Sequence, residues 1–171
     1  MSERIRPSWD EYFMYLAAWA ATRSSCRHLQ TGAVIVKDKR VVATGYNGAP
    51  RTVENCLVQG CRKDQFGVDF EKKGTGNCRG THAERNAMQQ LSMYELEGSS
   101  MYTIYYPCSD CAKDIIGAQL SKIFYLFDYK GEGTLVDELI KEAPISLKQL
   151  VLDYGKCNEM IKFILDQQKR K

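Results

Sequence analysis

THAERNAMQQLSMYELEGSSMYTIYYPCSDC, Thr81 to Cys111, holds a helix, a strand and the start of a second helix in one short stretch. From His82 the residues Asn86, Ala87, Met88 and Leu91 follow helical spacing, and Ser100 to Tyr106 is rich in the strand formers Tyr, Thr and Ile. Cys108 to Leu120 reads as the next helix. This succession belongs to a sheet covered by helices. The stretch also carries chemistry. His82 is followed, twenty-six positions on, by Cys108 and then Cys111, so one imidazole and two thiolates are available to zinc. Three protein ligands leave a fourth tetrahedral position for water, which marks a catalytic site and not a structural one. Glu84 is the acidic residue of the motif's first half and is assigned proton transfer.

Local spacing supports this geometry. Pro107 suits a helix start, where a missing N–H costs nothing. Cys108 and Cys111 then share one face of the first turn, and the positive end of the helix favours thiolates. Thr81-x-x-Glu84 also reads as a capping box, which gives Glu84 an alternative role as a cap. The alternative for the two cysteines is a redox pair, and it leaves His82 and Glu84 without a role.

Working outward, Ser8-Trp9-Asp10-Glu11 is a further capping box, and Phe13, Leu16, Ala17 and Ala20 predict a helix from about Trp9 to Ala21. Gly32 to Val36 and Val41 to Thr44 predict a hairpin turning at Lys37 to Arg40. Gly45-Tyr46-Asn47-Gly48 ends it, either as a plain turn or with Asn47 placed to bond a sugar hydroxyl. Ala49 to Gly80 reads as one irregular, glycine-rich insert with Cys56, Cys61 and Cys78. A loop of that length implies a binding role or its own organising ion. Beyond the motif come a strand at Lys122 to Phe127, a helix at Thr134 to Lys141, a strand at Leu147 to Leu152 and an amphipathic helix through Cys157, Met160, Ile161, Ile164 and Leu165. The two motif helices are expected to follow neighbouring strands, with their N-termini side by side.

The 171 residues are enough for one domain with a real core, read as a single unit over 1–171 with the insert at about 49–80. Hydrophobic residues make up 44% and no apolar run approaches the ~20 needed to span a bilayer, so no membrane association is expected. Met1 to Arg6 lacks the apolar core of a secretory signal. The net charge of +3 is too small to imply nucleic-acid binding, and Lys169-Arg170-Lys171 reads as a solvated tail. Seven cysteines, an odd number without a signal peptide, speak for metal-bound thiolates in a reducing cytoplasm. Cys26, Cys56, Cys61 and Cys78 suit a closed tetrahedral zinc site that holds the insert folded, against the plainer reading of four reduced, partly buried thiols.

The H-x-E…P-C-x-x-C spacing is the established signature of zinc nucleobase deaminases. Beyond that signature the chain resembles the deoxycytidylate (dCMP) deaminases. The matching pieces are Trp9 to Met14, Arg23-Ser24, Thr31-Gly32-Ala33, Gly45 to Gly48, His82 to Ala87 and Pro107 to Lys113. The resemblance implies a three-layer α-β-α cytidine deaminase-like fold with a five-stranded mixed sheet. It implies a homohexamer that converts dCMP to dUMP and ammonia, supplying dUMP for thymidylate synthesis. Zinc would lie on His82, Cys108 and Cys111, with Glu84 as proton shuttle. Asn47, Ala83 and Tyr129 would meet the substrate, and Arg23 and Ser24 its phosphate. Gly45, Tyr46, Asn47 and Gly48 would form a regulatory site for dCTP as activator and dTTP as inhibitor. Some members carry a further zinc near the four cysteines. Arg85, following H-A-E, and Gln89-Gln90 depart from the family's usual apolar choices. Two other functions compete. A tRNA adenosine deaminase shares the motif, but acting on a polymer favours a basic groove that the charge does not indicate. A non-catalytic zinc-stabilised module normally has four protein ligands, not three beside a carboxylate.

Overall fold

Ser8 starts the first helix, α1 (Trp9–Ala21), in the computed structural model, which describes residues 6–129 and 133–167. The expectations for Met1 to Ile5 and for Lys169 to Lys171 lie outside those residues. The capping box is closed in both directions, with the Ser8 amide donating to Glu11 at 2.7 Å and the Glu11 amide to Ser8 Oγ at 3.2 Å. The hairpin follows as β1 (Gly32–Lys37) and β2 (Arg40–Tyr46). Asp38 and Lys39 between them take φ of 50° and 60°, the left-handed pair that matches the twist of a two-residue hairpin.

The insert holds two helices of four residues, α2 (Cys56–Gln59) and α3 (Arg62–Gln65), where an irregular loop was expected. Next come α4 (Ala83–Met88), the short α5 (Met93–Leu96) and β3 (Ser100–Tyr105). α5 escaped the sequence reading, although its own Ser92/Glu95 capping box announces it. The chain ends with α6 (Ser109–Gly117), β4 (Lys122–Phe127), α7 (Gly133–Glu142), β5 (Ser146–Gln149) and α8 (Tyr154–Gln167).

The five strands form one mixed sheet in the order β2-β1-β3-β4-β5. β1 is antiparallel to both neighbours, and β3, β4 and β5 run parallel. Alternation along β1 sorts the core. Ala33 and Ile35 join Ala83, Ala87, Cys111 and Ile115 on the α4/α6 face. Val34 and Val36 join Phe13, Met14 and Ala17 on the α1 face. Each fully buried large side chain, such as Ile35, Ile115 or Ile123, contributes about 1.5–3 kcal/mol of transfer free energy. One expectation needs correction: α4 and α6 do not follow neighbouring strands. α4 comes after β2 and α6 after β3, and β1 lies between those two strands.

Two glycines let the layers approach closely. A Cβ on Gly32 would collide with the backbone of Ala17 and Ala21 in α1, and one on Gly45 with the backbone of Ala83 and Ala87 in α4. Both glycines lie at the same end of the hairpin, where Gly32 pairs with Tyr46 and Gly45 with Ala33.

Candidate active site

The N-termini of α4 and α6 meet and bring the histidine to the two cysteines. His82 is the N-cap of α4 and Cys108 that of α6. Pro107 therefore precedes the cap and does not occupy the first helical position. His82 Nδ1 lies 3.3 Å from Cys108 Sγ and 3.3 Å from Cys111 Sγ. Tetrahedral zinc with Zn–N near 2.0–2.1 Å and Zn–S near 2.3 Å separates N and S by about 3.5 Å. Donor set and spacing therefore fit a zinc ion.

Two devices fix this arrangement. Gly48 and Thr81 exchange backbone hydrogen bonds at 3.2 and 2.8 Å, which pins the residue before His82 to the end of β2. Thr81 is thus a bridge residue and not the cap of α4, so the capping box with Glu84 does not form. Arg85 Nε donates to Asp114 Oδ2 at 2.5 Å and ties α4 to α6. The sequence marks Arg85 as unusual and gives no partner for it.

Glu84 is 6% exposed, between the triad and the core. Burial raises its pKa, opposed by the hydrogen bond to its own backbone amide and by His82. The hydrogen bond with Cys108 raises the His82 pKa. The Cys108 thiol is held down to about 4 by the hydrogen bond from Cys111 and by His82, whereas the hydrogen bond to Cys108 and burial push Cys111 up. Without a cation the two sulfurs share one proton, since two thiolates so close repel.

The triad and Glu84 line a cavity of about 680 Å³, together with Asn47, Gly48 and Tyr129. Asn47 is strongly engaged: Oδ1 accepts from Thr31 N at 2.9 Å and Ser24 Oγ at 2.6 Å, and Nδ2 donates to Leu29 O at 2.7 Å. One amide N–H remains for a ligand. Tyr129 has the Lys73 ammonium 4.4 Å above its ring. Ala83 is fully buried, with its carbonyl against Gly45, and is not on the cavity wall. Arg23 is exposed beyond the end of α1 and Ser24 turns to Asn47, so neither lines the cavity. Gly45 and Tyr46 do not line the cavity either: Gly45 lies against α4, and Tyr46 is exposed on the edge strand, its carbonyl accepting from Asn86 at 2.7 Å.

The residues 7–127 match the family model described as the cytidine and deoxycytidylate deaminase zinc-binding region. The chain belongs to this family. Mycobacterium phage D29 deoxycytidylate deaminase is 38% identical over 122 residues, covering 70% of this chain and 95% of its own length. The Saccharomyces cerevisiae deoxycytidylate deaminase is 35% identical over 150 residues, 87% of this chain, which spans only 47% of the yeast enzyme. The structure of cyanophage S-TIM5 dCMP deaminase in complex with dCMP and dUMP superposes with a TM-score of 0.66 at 26% identity, covering 85% of this chain and 99% of that one. The five-stranded mixed sheet, with helices on both faces, is the cytidine deaminase-like fold.

Of the other five cysteines, Cys26, Cys56, Cys61 and Cys78 reach the same cavity wall, and Cys157 lies apart on α8. Burial raises the Cys56 pKa, reinforced by the nearby sulfurs of Cys61, Cys26 and Cys78. They are less tightly drawn than the triad. Among the described residues, the groups with donor atoms within 4.8 Å of one another are His82/Cys108/Cys111 and His28/Cys61/Asp64. His28 and Asp64, bonded at 2.8 Å, had no signal in the sequence, because they lie 36 positions apart with no motif between them.

Proposed function

We propose that this chain is a zinc-dependent hydrolase that converts dCMP to dUMP and ammonia. The observation that carries the reading is the buried Glu84 beside the His82/Cys108/Cys111 triad, at a cavity of about 680 Å³ whose wall has more basic than acidic residues. Zinc, when bound, supplies a nucleophilic water that deprotonates near neutral pH. His82, Cys108 and Cys111 would hold it. Glu84 then needs no ligand role: it would take one proton from the attacking water and give it to the ring nitrogen next to the reacting carbon, then take the second proton of that oxygen and give it to the departing amine. Its burial favours the protonated form that this delivery needs. Asn47 offers its remaining N–H to the sugar, and Tyr129 flanks the pocket.

Three finer features belong to the same reading. Cys26, Cys56, Cys61 and Cys78 hold a second zinc that organises the insert, supported by the place of all four on one cavity wall. dCTP activates and dTTP inhibits through Gly45 to Gly48, supported by the Gly48–Thr81 bridge that leads from that stretch to His82. The chain works as a homohexamer in the cytoplasm. The support is a broad apolar groove between α1 and α8 with Trp19 at 71% exposure, and seven free thiols. Among the described residues no helix is long and apolar enough to cross a membrane.

The test is ammonia release from dCMP, CMP, dCTP, cytidine, deoxycytidine and a tRNA. The expected result is a strong preference for dCMP, raised by dCTP and lowered by dTTP at subsaturating substrate. Equal kcat/KM for dCMP and deoxycytidine, or preferred turnover of tRNA, overturns the substrate assignment.

A further inference from the structure

Most cations on the cavity wall are already engaged by the chain itself. Arg27 donates to the carbonyls of Cys56 and Leu57 at 2.9 and 3.2 Å. Lys63 is buried and donates to the carbonyls of Phe70 and Lys72 at 2.5 and 2.6 Å. Arg62 bonds Asn77 at 3.3 Å and lies over the Phe66 ring. His28 is on Asp64, Arg85 on Asp114, and Lys73 over Tyr129. Arg79 is different. It lines the cavity and is half-buried, yet its guanidinium has no hydrogen bond or ion pair among the described residues. Its charge is felt by the Cys56 thiol, whose pKa it lowers, but its N–H donors meet no acceptor among the described residues and are open to a ligand's anionic oxygens.

Its place along the chain gives that anion a position. Arg79 stands three residues before His82, on the segment that the Gly48–Thr81 bridge holds in line with β2. Three extended residues reach at most about 10 Å. A base whose reacting carbon faces Glu84 and the triad has its 5′-phosphate at the opposite end of the nucleotide, away from the protein floor. The carboxylates on the wall do not compete for Arg79: Glu84 is buried at the triad, and Asp110 has Lys113 at 3.8 Å. A guanidinium offers paired, planar donors that match phosphate oxygens.

We propose that Arg79 binds the 5′-phosphate of the nucleotide and so sets the preference for a monophosphate over a nucleoside; this rests on the deaminase reading above. The other cation on the wall whose side chain has no hydrogen bond or ion pair among the described residues, Lys72, is exposed and stands seven positions further from the triad along the chain than Arg79, so it serves as the control.

The experiment compares the wild type with Arg79→Ala, Arg79→Lys and Lys72→Ala. It measures kcat and KM for dCMP and deoxycytidine, direct binding of dUMP and deoxyuridine, and zinc content. Losing a charge-assisted contact should weaken dUMP binding and raise KM for dCMP about 10- to 150-fold in Arg79→Ala. Deoxycytidine turnover, deoxyuridine binding and zinc content should stay as in wild type. Arg79→Lys should recover part of the loss, and Lys72→Ala should stay close to wild type. Equal losses for nucleotide and nucleoside, or unchanged dUMP binding, overturn the proposal. So does a fall in zinc content with an unchanged dUMP-to-deoxyuridine ratio, which would make Arg79 a counter-charge for the cysteine cluster. If wild type deaminates neither compound, the deaminase reading fails, and the binding ratio of dUMP to deoxyuridine still decides for or against Arg79.

Discussion

Cys108 and Cys111, 8% and 1% exposed, open a helix whose next turns bury Ala112 and Ile115 against the sheet. Cys56 and Cys61 stand at helices of four residues that bury no apolar side chain. The first region inherits its geometry from the core. The second has polar pins instead: the Lys63 ammonium on two carbonyls, Arg27 on two more, and the His28–Asp64 pair. Helices that short are not stable by themselves, so the insert depends on such pins and on the proposed ion. A catalytic centre is thus built where packing is strongest, and the wall that closes over it where packing is weakest.

The largest effect should come from the packed region. Glu84→Gln is expected to lower kcat by about 10²–10⁴-fold, the usual contribution of general acid–base catalysis, with the catalytic zinc retained. Turnover rates and metal analysis on the same preparation check this. Near-normal turnover at full zinc content would remove Glu84 from the chemistry.

The next prediction separates the two regions. Cys56→Ser should reduce zinc from about two to about one per chain and speed amide exchange across Ala49 to Gly80, leaving α4 and α6 protected. Hydrogen exchange with mass spectrometry reads both. One zinc per chain in the wild type, with all four insert cysteines freely alkylated, would leave the polar pins as the sole organiser.

Within the packed region, Arg85 and Asp114 cross-link the two motif helices. Both side chains are 41% exposed, so screening limits the pair to about 0.5–1 kcal/mol. A double-mutant cycle of Arg85→Ala and Asp114→Ala, followed by thermal unfolding, should return a coupling of that size. A coupling of zero would mean that the core alone aligns α4 with α6.

The smallest effect is far from both regions. Glu11 closes the α1 capping box and reaches Lys156 of α8 at 2.8 Å. The bond with Lys156 and the Ser8 amide lower its pKa to about 2 from 4.5. Because the folded pKa is depressed, the stabilisation is complete above about pH 4.5 and fades as pH falls toward about 2. Glu11→Gln, which keeps a capping side chain, should cost about 0.5 kcal/mol at pH 7, a Tm drop of about 1–2 °C, and the gap should narrow from pH 6 to pH 3. A gap independent of pH would assign the effect to packing.

Much of this was legible in the sequence because it is local. The Ser8 box and the hairpin turn at Asp38-Lys39 depend on residues a few positions apart, and H-A-E and P-C-x-x-C are two such local pieces joined by a known signature, so α1, the hairpin and the metal triad are readable directly. The pairs that were missed are long-range and polar: His28 with Asp64, Arg85 with Asp114, and Tyr102 with Asp10 at 2.8 Å. No periodicity marks such pairs, since hydrogen-bond partners are chosen by the fold and not by spacing. The expectation that the two motif helices follow neighbouring strands fails because strand pairing too is long-range. Sequence succession places β2 before β3, whereas the antiparallel β1 takes the position between them. Arg23 was matched to a phosphate by position alone, and the fold carries it outside the cavity.

The adjoining glycines at the end of the hairpin limit how this protein can change over generations. Gly45 lets β2 touch the backbone of α4, and Gly32 does the same for β1 and α1 on the other side of the sheet. A single methyl at Gly45 would push α4 outward and carry His82 and Glu84 away from Cys108. A lineage that acquires a new substrate therefore has little room at the hairpin, where the smallest gain in volume is felt at the reacting centre. Its freedom lies in the insert: open space surrounds Gly67, Gly74 and Gly76, and although their φ of 62° to 67° keeps glycine at those three positions, the exposed residues around them can be exchanged without pushing on α4.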